Sequence, residues 1–93
     1  MKLVYTVEAI EDLKRLREFI AVHHPTAAQR IARELIARLE LLSDFPQMGI
    51  PVQMSPLPSE IRDIVFGKYI VRYSMHSKTI IILRVWHGLE HER

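Results

Sequence analysis

Three arginines, Arg62, Arg72 and Arg84, recur through the last third of this 93-residue chain, and Trp86 and His87 follow directly behind the last of them. A guanidinium offers a fixed fork of donors to phosphate or carboxylate. An imidazole is the side chain whose ordinary pKa lets it move protons near neutrality. On one sheet face the arginines would make a cationic surface for phosphate or for a partner's carboxylates. Left in water, partly paired with Glu60 or Asp63, they would be solvated sheet residues. His87 with Glu60 has the makings of an acid–base pair. His87 and His91 also stand four apart, with Glu90 and Glu92 beside them. That spacing can hold a metal on a helix, but Gly88 interrupts a helix there and no third ligand is evident, so no metal or cofactor is expected. Trp86 either seals the sheet edge or anchors a protein interface, where tryptophan is enriched.

The composition sets the frame for that chemistry. Hydrophobic residues make up 48% and charged residues 26%, which is globular and too apolar for a disordered chain. Ninety-three residues make one domain, taken as 1–93. The net charge of +2 permits a nucleic-acid or acidic-protein partner without arguing for either. With no cysteine there is neither a disulfide framework nor a thiolate zinc site. The longest apolar run, Ile80 to Leu83, is too short to cross a bilayer, and no signal-peptide pattern follows Lys2. A cytoplasmic protein with no membrane partner is expected.

The positioning elements follow from periodicity. Leu3-Val4-Tyr5 reads as a short first strand. Thr6 can N-cap a helix whose apolar stripe is Ile10, Leu13, Leu16 and Ile20, with Glu8, Glu11 and Asp12 at the positive end of the helix dipole. His23-His24-Pro25 ends that helix, and Pro25 can open a second as its first residue. There Ala28, Ile31, Ala32, Leu35, Leu39 and Leu42 form the buried stripe, and Glu34 with Arg38 is a favourable pair one turn apart. Phe45-Pro46 stops it. Residues 46–59 form a connector with four prolines and no lysine or arginine, where Met48, Met54 and Leu57 either pin the loop or face a partner. Three strands follow, 60–66, 69–76 and 79–87, joined by turns at Gly67-Lys68 and Ser77-Lys78.

In the last strand the odd positions Ile81, Leu83 and Val85 are uniformly apolar and are expected to face the core. A two-residue turn pairing His76 with Thr79 would set odd residues against even ones. An odd-length loop or a bulge keeps odd with odd and makes Arg72 and Arg84 diagonal neighbours on the face away from the core. The fold is then α+β: a short N-terminal strand, a helical hairpin, and a three-stranded antiparallel meander packed on the two helices.

That order resembles the RelE/ParE superfamily of type II toxins. Phe45-Pro46-Gln47-Met48-Gly49, Ile61-Arg62-Asp63-Ile64-Val65, Tyr69-Ile70-Val71-Arg72-Tyr73 and Ile82-Leu83-Arg84-Val85-Trp86-His87-Gly88 carry the likeness, which spans nearly the whole chain. The resemblance implies a growth-arresting toxin neutralised by a cognate antitoxin. It also implies one of two targets, DNA gyrase in the ParE branch or mRNA on the ribosome in the RelE branch. RNA cleavage through the 2′-OH needs a base, an acid and cations; here the set would be Arg62, Arg72, Arg84 and His87. The connector lacks the basic residues that the nucleases carry, and Val65 or Phe66 stands near a position where they have arginine. The Val85-Trp86-His87-Gly88 ending is closer to the ParE branch, although Leu89-Glu90 departs from what usually follows. The expectation is therefore a non-enzymatic gyrase inhibitor using Arg62, Arg72, Arg84, Trp86 and His87 as partner contacts. The alternatives are an mRNA interferase, or a degenerate toxin that retains only antitoxin binding.

Overall fold

The computed structural model describes residues 1–52 and 61–90. Along the chain run β1 (Lys2–Tyr5), α1 (Val7–His23), α2 (Ala28–Glu40) and a 3₁₀ turn at Leu41–Ser43. Then come β2 (Ile50–Pro51), β3 (Ile61–Phe66), β4 (Tyr69–Met75) and β5 (Thr79–His87). The sheet order is β1-β5-β4-β3-β2, with β1 parallel to β5 and every other pair antiparallel. Both helices lie against one face. This is the expected α+β class, with β2 as an unforeseen fifth strand. Ile50 and Pro51 pair with Asp63 and Arg62 at the sheet edge, where a proline's missing N–H costs the ladder nothing.

Each helix begins for a local reason. The Thr6 hydroxyl accepts the Ala9 N–H at 3.0 Å, as an N-cap should, and its own hydrogen goes to the Leu83 carbonyl. The second helix starts at Ala28, three residues later than expected. Pro25 instead occupies the second position of a turn closed by the Ala27 N–H on the His24 carbonyl, a place its fixed φ suits. Glu34 pairs with Arg30, one turn before it, and not with Arg38.

The core gathers Leu16, Leu35, Leu39, Leu42, Ile64, Phe66, Val71, Tyr73, Ile80, Ile82 and Val85. Two expectations are corrected here. The buried face of α1 runs through Ala9, Asp12, Leu16 and Ile20, so Ile10 is exposed and Asp12 is 1% exposed inside the molecule. In β5 the core positions change parity partway along. Ile80 and Ile82 are buried, and then Val85 is, because Leu83 is an extra residue opposite the Arg72/Tyr73 step of β4. Near the turn the strands pair Met75 with Ile80, the register of a two-residue turn; beyond the bulge they pair Arg72 with Arg84. Turn and parity are thus both satisfied. Arg72 and Arg84 share the face away from the core, as expected, and stand directly opposite instead of diagonally.

Turn and loop chemistry closes the ends of the sheet. Gly67 has φ +60°, the left-handed conformation that its two-residue turn requires of a residue without Cβ. Gly49 lies so close to the sheet that an added Cβ would stand 2.7 Å from the Tyr73 hydroxyl. That hydroxyl donates to the Pro46 carbonyl and accepts the Gly49 N–H, pinning the end of the Phe45–Gly49 motif to β4.

Candidate functional site

β1 ends at its pairing of Tyr5 with Ile82, but β5 runs on to His87. Its outward edge from Leu83 to His87 therefore has no strand beside it among the described residues. Side chains replace the missing strand. The Thr6 hydroxyl donates to the Leu83 carbonyl, Asp12 Oδ2 accepts the Val85 N–H, and Arg15 Nη2 donates to the Val85 carbonyl. Glu90 Oε1 accepts the His87 N–H. These are the alternating outward groups an edge presents, and each is matched in order.

The same side chains neutralise one another. Arg84 reaches both oxygens of Asp12 at 2.8 and 3.0 Å; Arg15 takes Asp12 Oδ1 at 2.6 Å and both oxygens of Glu90. Burial pushes the Asp12 carboxyl up, but the hydrogen bonds from Arg84, Arg15 and the Val85 N–H outweigh it and hold the group below the ordinary aspartate value. Arg84 is held above its ordinary value, chiefly by its hydrogen bonds to Asp12. Sequence reasoning placed Asp12 in the helix dipole and missed this role. The available signal was its position in the Ala9–Leu16–Ile20 stripe, where a carboxylate needs a buried partner.

The expected site residues divide among three places. Arg72, Arg84 and Trp86 lie on the outer face. There Arg72 is bidentate on Asp63, at 2.8 and 2.9 Å, and its guanidinium sits 5.3 Å from the Trp86 ring centroid. Arg62 is on the opposite, helix-covered face, opposite Tyr73, where its Nη1 donates to the Gly49 carbonyl at 2.7 Å. His87 is also on the helix-covered face but at the other end of the sheet, opposite Tyr69. Four residue steps along β4, from Tyr69 to Tyr73, separate those two stations, about 13 Å along the strand. Arg62 and His87 are thus not brought together with each other or with the outer-face pair, and a single cationic face does not form. Glu60, His91 and Glu92, proposed as acid–base or metal partners, and Met54 and Leu57 in the connector, lie outside the described residues. Among the described residues no group of three metal-ligating side chains occurs.

His87 borders a groove of about 790 Å³ where the end of α1, the start of α2, the β3–β4 turn and the end of β5 meet. Its ring packs edge-on to Tyr69 and tilted against Phe19, which in turn stacks on His23. The Leu89 N–H donates to His87 Nδ1 at 3.0 Å, so the neutral ring carries its proton on Nε2. Burial raises the Tyr69 phenol above its ordinary pKa.

Comparison with known proteins agrees with this architecture. The family model described as ParE toxin of type II toxin-antitoxin system, parDE, matches residues 3–91. Toxin RelE1 of Caulobacter vibrioides is 34% identical over 90 residues, covering 95% of this chain and 94% of that protein. Toxin RelE2 of the same organism is 29% identical over 88 residues, 94% of each. Among solved structures, the chromosomal ParDE TA system from P. aeruginosa matches with TM-score 0.78 at 21% identity, covering 94% of this chain and 95% of that one. The toxin–antitoxin complex RelBE2 from Mycobacterium tuberculosis matches with TM-score 0.70 at 24% identity, over 92% and 95%.

Proposed function

This chain belongs to the ParE toxin family of type II toxin–antitoxin systems, and from that premise we propose that it arrests growth by binding DNA gyrase as a protein inhibitor, held in check by a cognate antitoxin. The observation that carries the reading is the dispersal of the groups a nuclease would use. General acid and base must lie within hydrogen-bond reach of the same reacting atoms, with cations beside the developing charge. Arg62 and His87 stand at opposite ends of the helix-covered face, and Arg72 and Arg84 stand on the other face bound to Asp63 and Asp12. Such a surface suits contact with a folded protein better than cleavage of RNA. The titles of the structural neighbours, a ParDE system and a RelBE2 complex, speak for an antitoxin partner here as well. No helix among the described residues is long and apolar enough to cross a membrane, and we place the encounter with gyrase in the cytoplasm.

The purified toxin is expected to block supercoiling by gyrase in a dose-dependent way. The second reading, cleavage of mRNA on the ribosome, is favoured by the names of the curated relatives, Toxin RelE1 and Toxin RelE2. It predicts transcript cleavage in a translating extract, lost in His87→Ala at equal folded fraction. Cleavage with gyrase untouched would reverse the order of the two readings.

A further inference from the structure

His87 is 8% exposed, and three of its four polar atoms are bound within the turn that follows it. Its N–H goes to Glu90 Oε1, its carbonyl accepts the Glu90 N–H, and its Nδ1 accepts the Leu89 N–H. The fourth, Nε2, is open to the groove: among the described residues Arg62 Nε is the only buried side-chain nitrogen or oxygen without a hydrogen bond. The turn is itself pinned from two sides. Arg15 of α1 takes both carboxylate oxygens of Glu90, and the Gly88 N–H is tied to the Lys68 carbonyl. Tyr69 and Phe19 hold the plane of the ring, and turning it over would set a C–H against the Leu89 N–H.

A backbone N–H can only donate, so the nitrogen it meets must offer a lone pair and the neutral ring must carry its proton on the other. Nε2 is then a donor, with no lone pair left to take a proton from a reactant. In acid–base sites the arrangement is reversed: a carboxylate or carbonyl holds the far N–H and leaves the near nitrogen free to accept. Here a carboxylate stands in the same turn, yet Glu90 binds the His87 backbone and Arg15 instead of the ring. We infer that the turn from His87 to Glu90 is a latch that fixes His87 as a hydrogen-bond donor toward the target and withholds it as a general base. Leu89, through its N–H, and Glu90, through its carboxylate, are the positioning residues. The inference deepens the inhibitor reading and rests on it for what the donor meets, an acceptor oxygen on a folded protein.

The first test needs no target. In the ¹⁵N-labelled parent chain the two ring nitrogens of neutral His87 should resonate far apart, as they do in a single tautomer, with the proton on Nε2. Leu89→Pro deletes the N–H at a residue that is 88% exposed, and Glu90→Ala frees the turn from Arg15. In each variant, with folding checked by its melting temperature, the two resonances should draw together as the second tautomer becomes populated. A parent ring already averaged, or protonated on Nδ1, would overturn the latch. So would a separation unchanged in both variants. The second test asks what the ring does. A glutamine at this position keeps an N–H donor but transfers no proton. His87→Gln should arrest growth at the parent's expression level, whereas His87→Ala, lacking the donor, should need about tenfold more toxin. A folded His87→Gln as weak as His87→Ala would make His87 a proton carrier and overturn the inference; a His87→Ala as potent as the parent would overturn it too. A parent chain that leaves supercoiling untouched would instead remove the gyrase reading without moving the ring resonances.

Discussion

Two ends of β5 solve opposite problems. Along its outward edge the Leu83 carbonyl, the Val85 N–H and carbonyl and the His87 N–H each meet a side chain, and the charged ones among them, Asp12, Arg15 and Glu90, are paired with one another or with Arg84. Where the strand leaves the sheet, at His87 to Leu89, the surface is open, apolar and without a carboxylate. The charged region is closed and the apolar region is open. Charge density is therefore a poor guide to function in this molecule: arginines on a sheet were used up in finishing the fold. The unfinished surface is the better candidate for recognition.

The strongest way to break that contrast is Asp12→Ala. It leaves the Val85 N–H without an acceptor and two guanidinium groups without their shared carboxylate. Breaking a buried pair on one side costs about 3–5 kcal/mol, a large share of the 5–15 kcal/mol typical of a domain. Chemical denaturation should show a loss of that order; a loss under about 1 kcal/mol would mean the edge is held by something else. Acid gives an independent reading. The Asp12 carboxyl is held below its ordinary value when folded, so its contribution is complete above the ordinary aspartate pKa of about 3.9. That contribution fades as pH falls below it toward the lowered folded value. The parent chain should lose stability below about pH 4 more steeply than Asp12→Asn.

A smaller effect comes from the clamp at the opposite end of β4. In Tyr73→Phe the buried Gly49 N–H loses its acceptor and the Pro46 carbonyl its donor, which should cost about 1–3 kcal/mol in equilibrium unfolding. An unchanged unfolding curve would show that water replaces the hydroxyl there, and the Phe45–Gly49 motif would need another explanation. This clamp also marks what was readable in advance. The helices, both turns and the shared outer face of Arg72 and Arg84 followed from periodicity and parity, because the buried faces of helices and strands repeat. The β5 bulge came only as one of two ways to reconcile parity with the turn. Asp12 was not foreseen, because a carboxylate near a helix start has a sufficient local reason to be there. Its true partners, Arg84 and Val85, lie more than seventy residues away. Arg62 misled for a related reason: it reads as an alternating polar residue, while it lies on the helix-covered face with its Nη1 donating to the Gly49 carbonyl. Two-residue β2 carries no periodicity at all.

The smallest effect sharpens the comparison most. Leu89 is 88% exposed, and its one structural duty, the N–H bond to His87 Nδ1, belongs to its backbone. Leu89→Glu therefore removes no buried apolar area and should change stability by no more than about 0.5 kcal/mol, roughly 2–4 °C in melting temperature for a domain of this size. An exposed leucine that does nothing for the fold is consistent with a surface kept for contact with another molecule. If Leu89→Glu instead destabilised the chain as strongly as Tyr73→Phe, the groove would be part of the packed structure. The difference between a closed edge and an open end would then disappear.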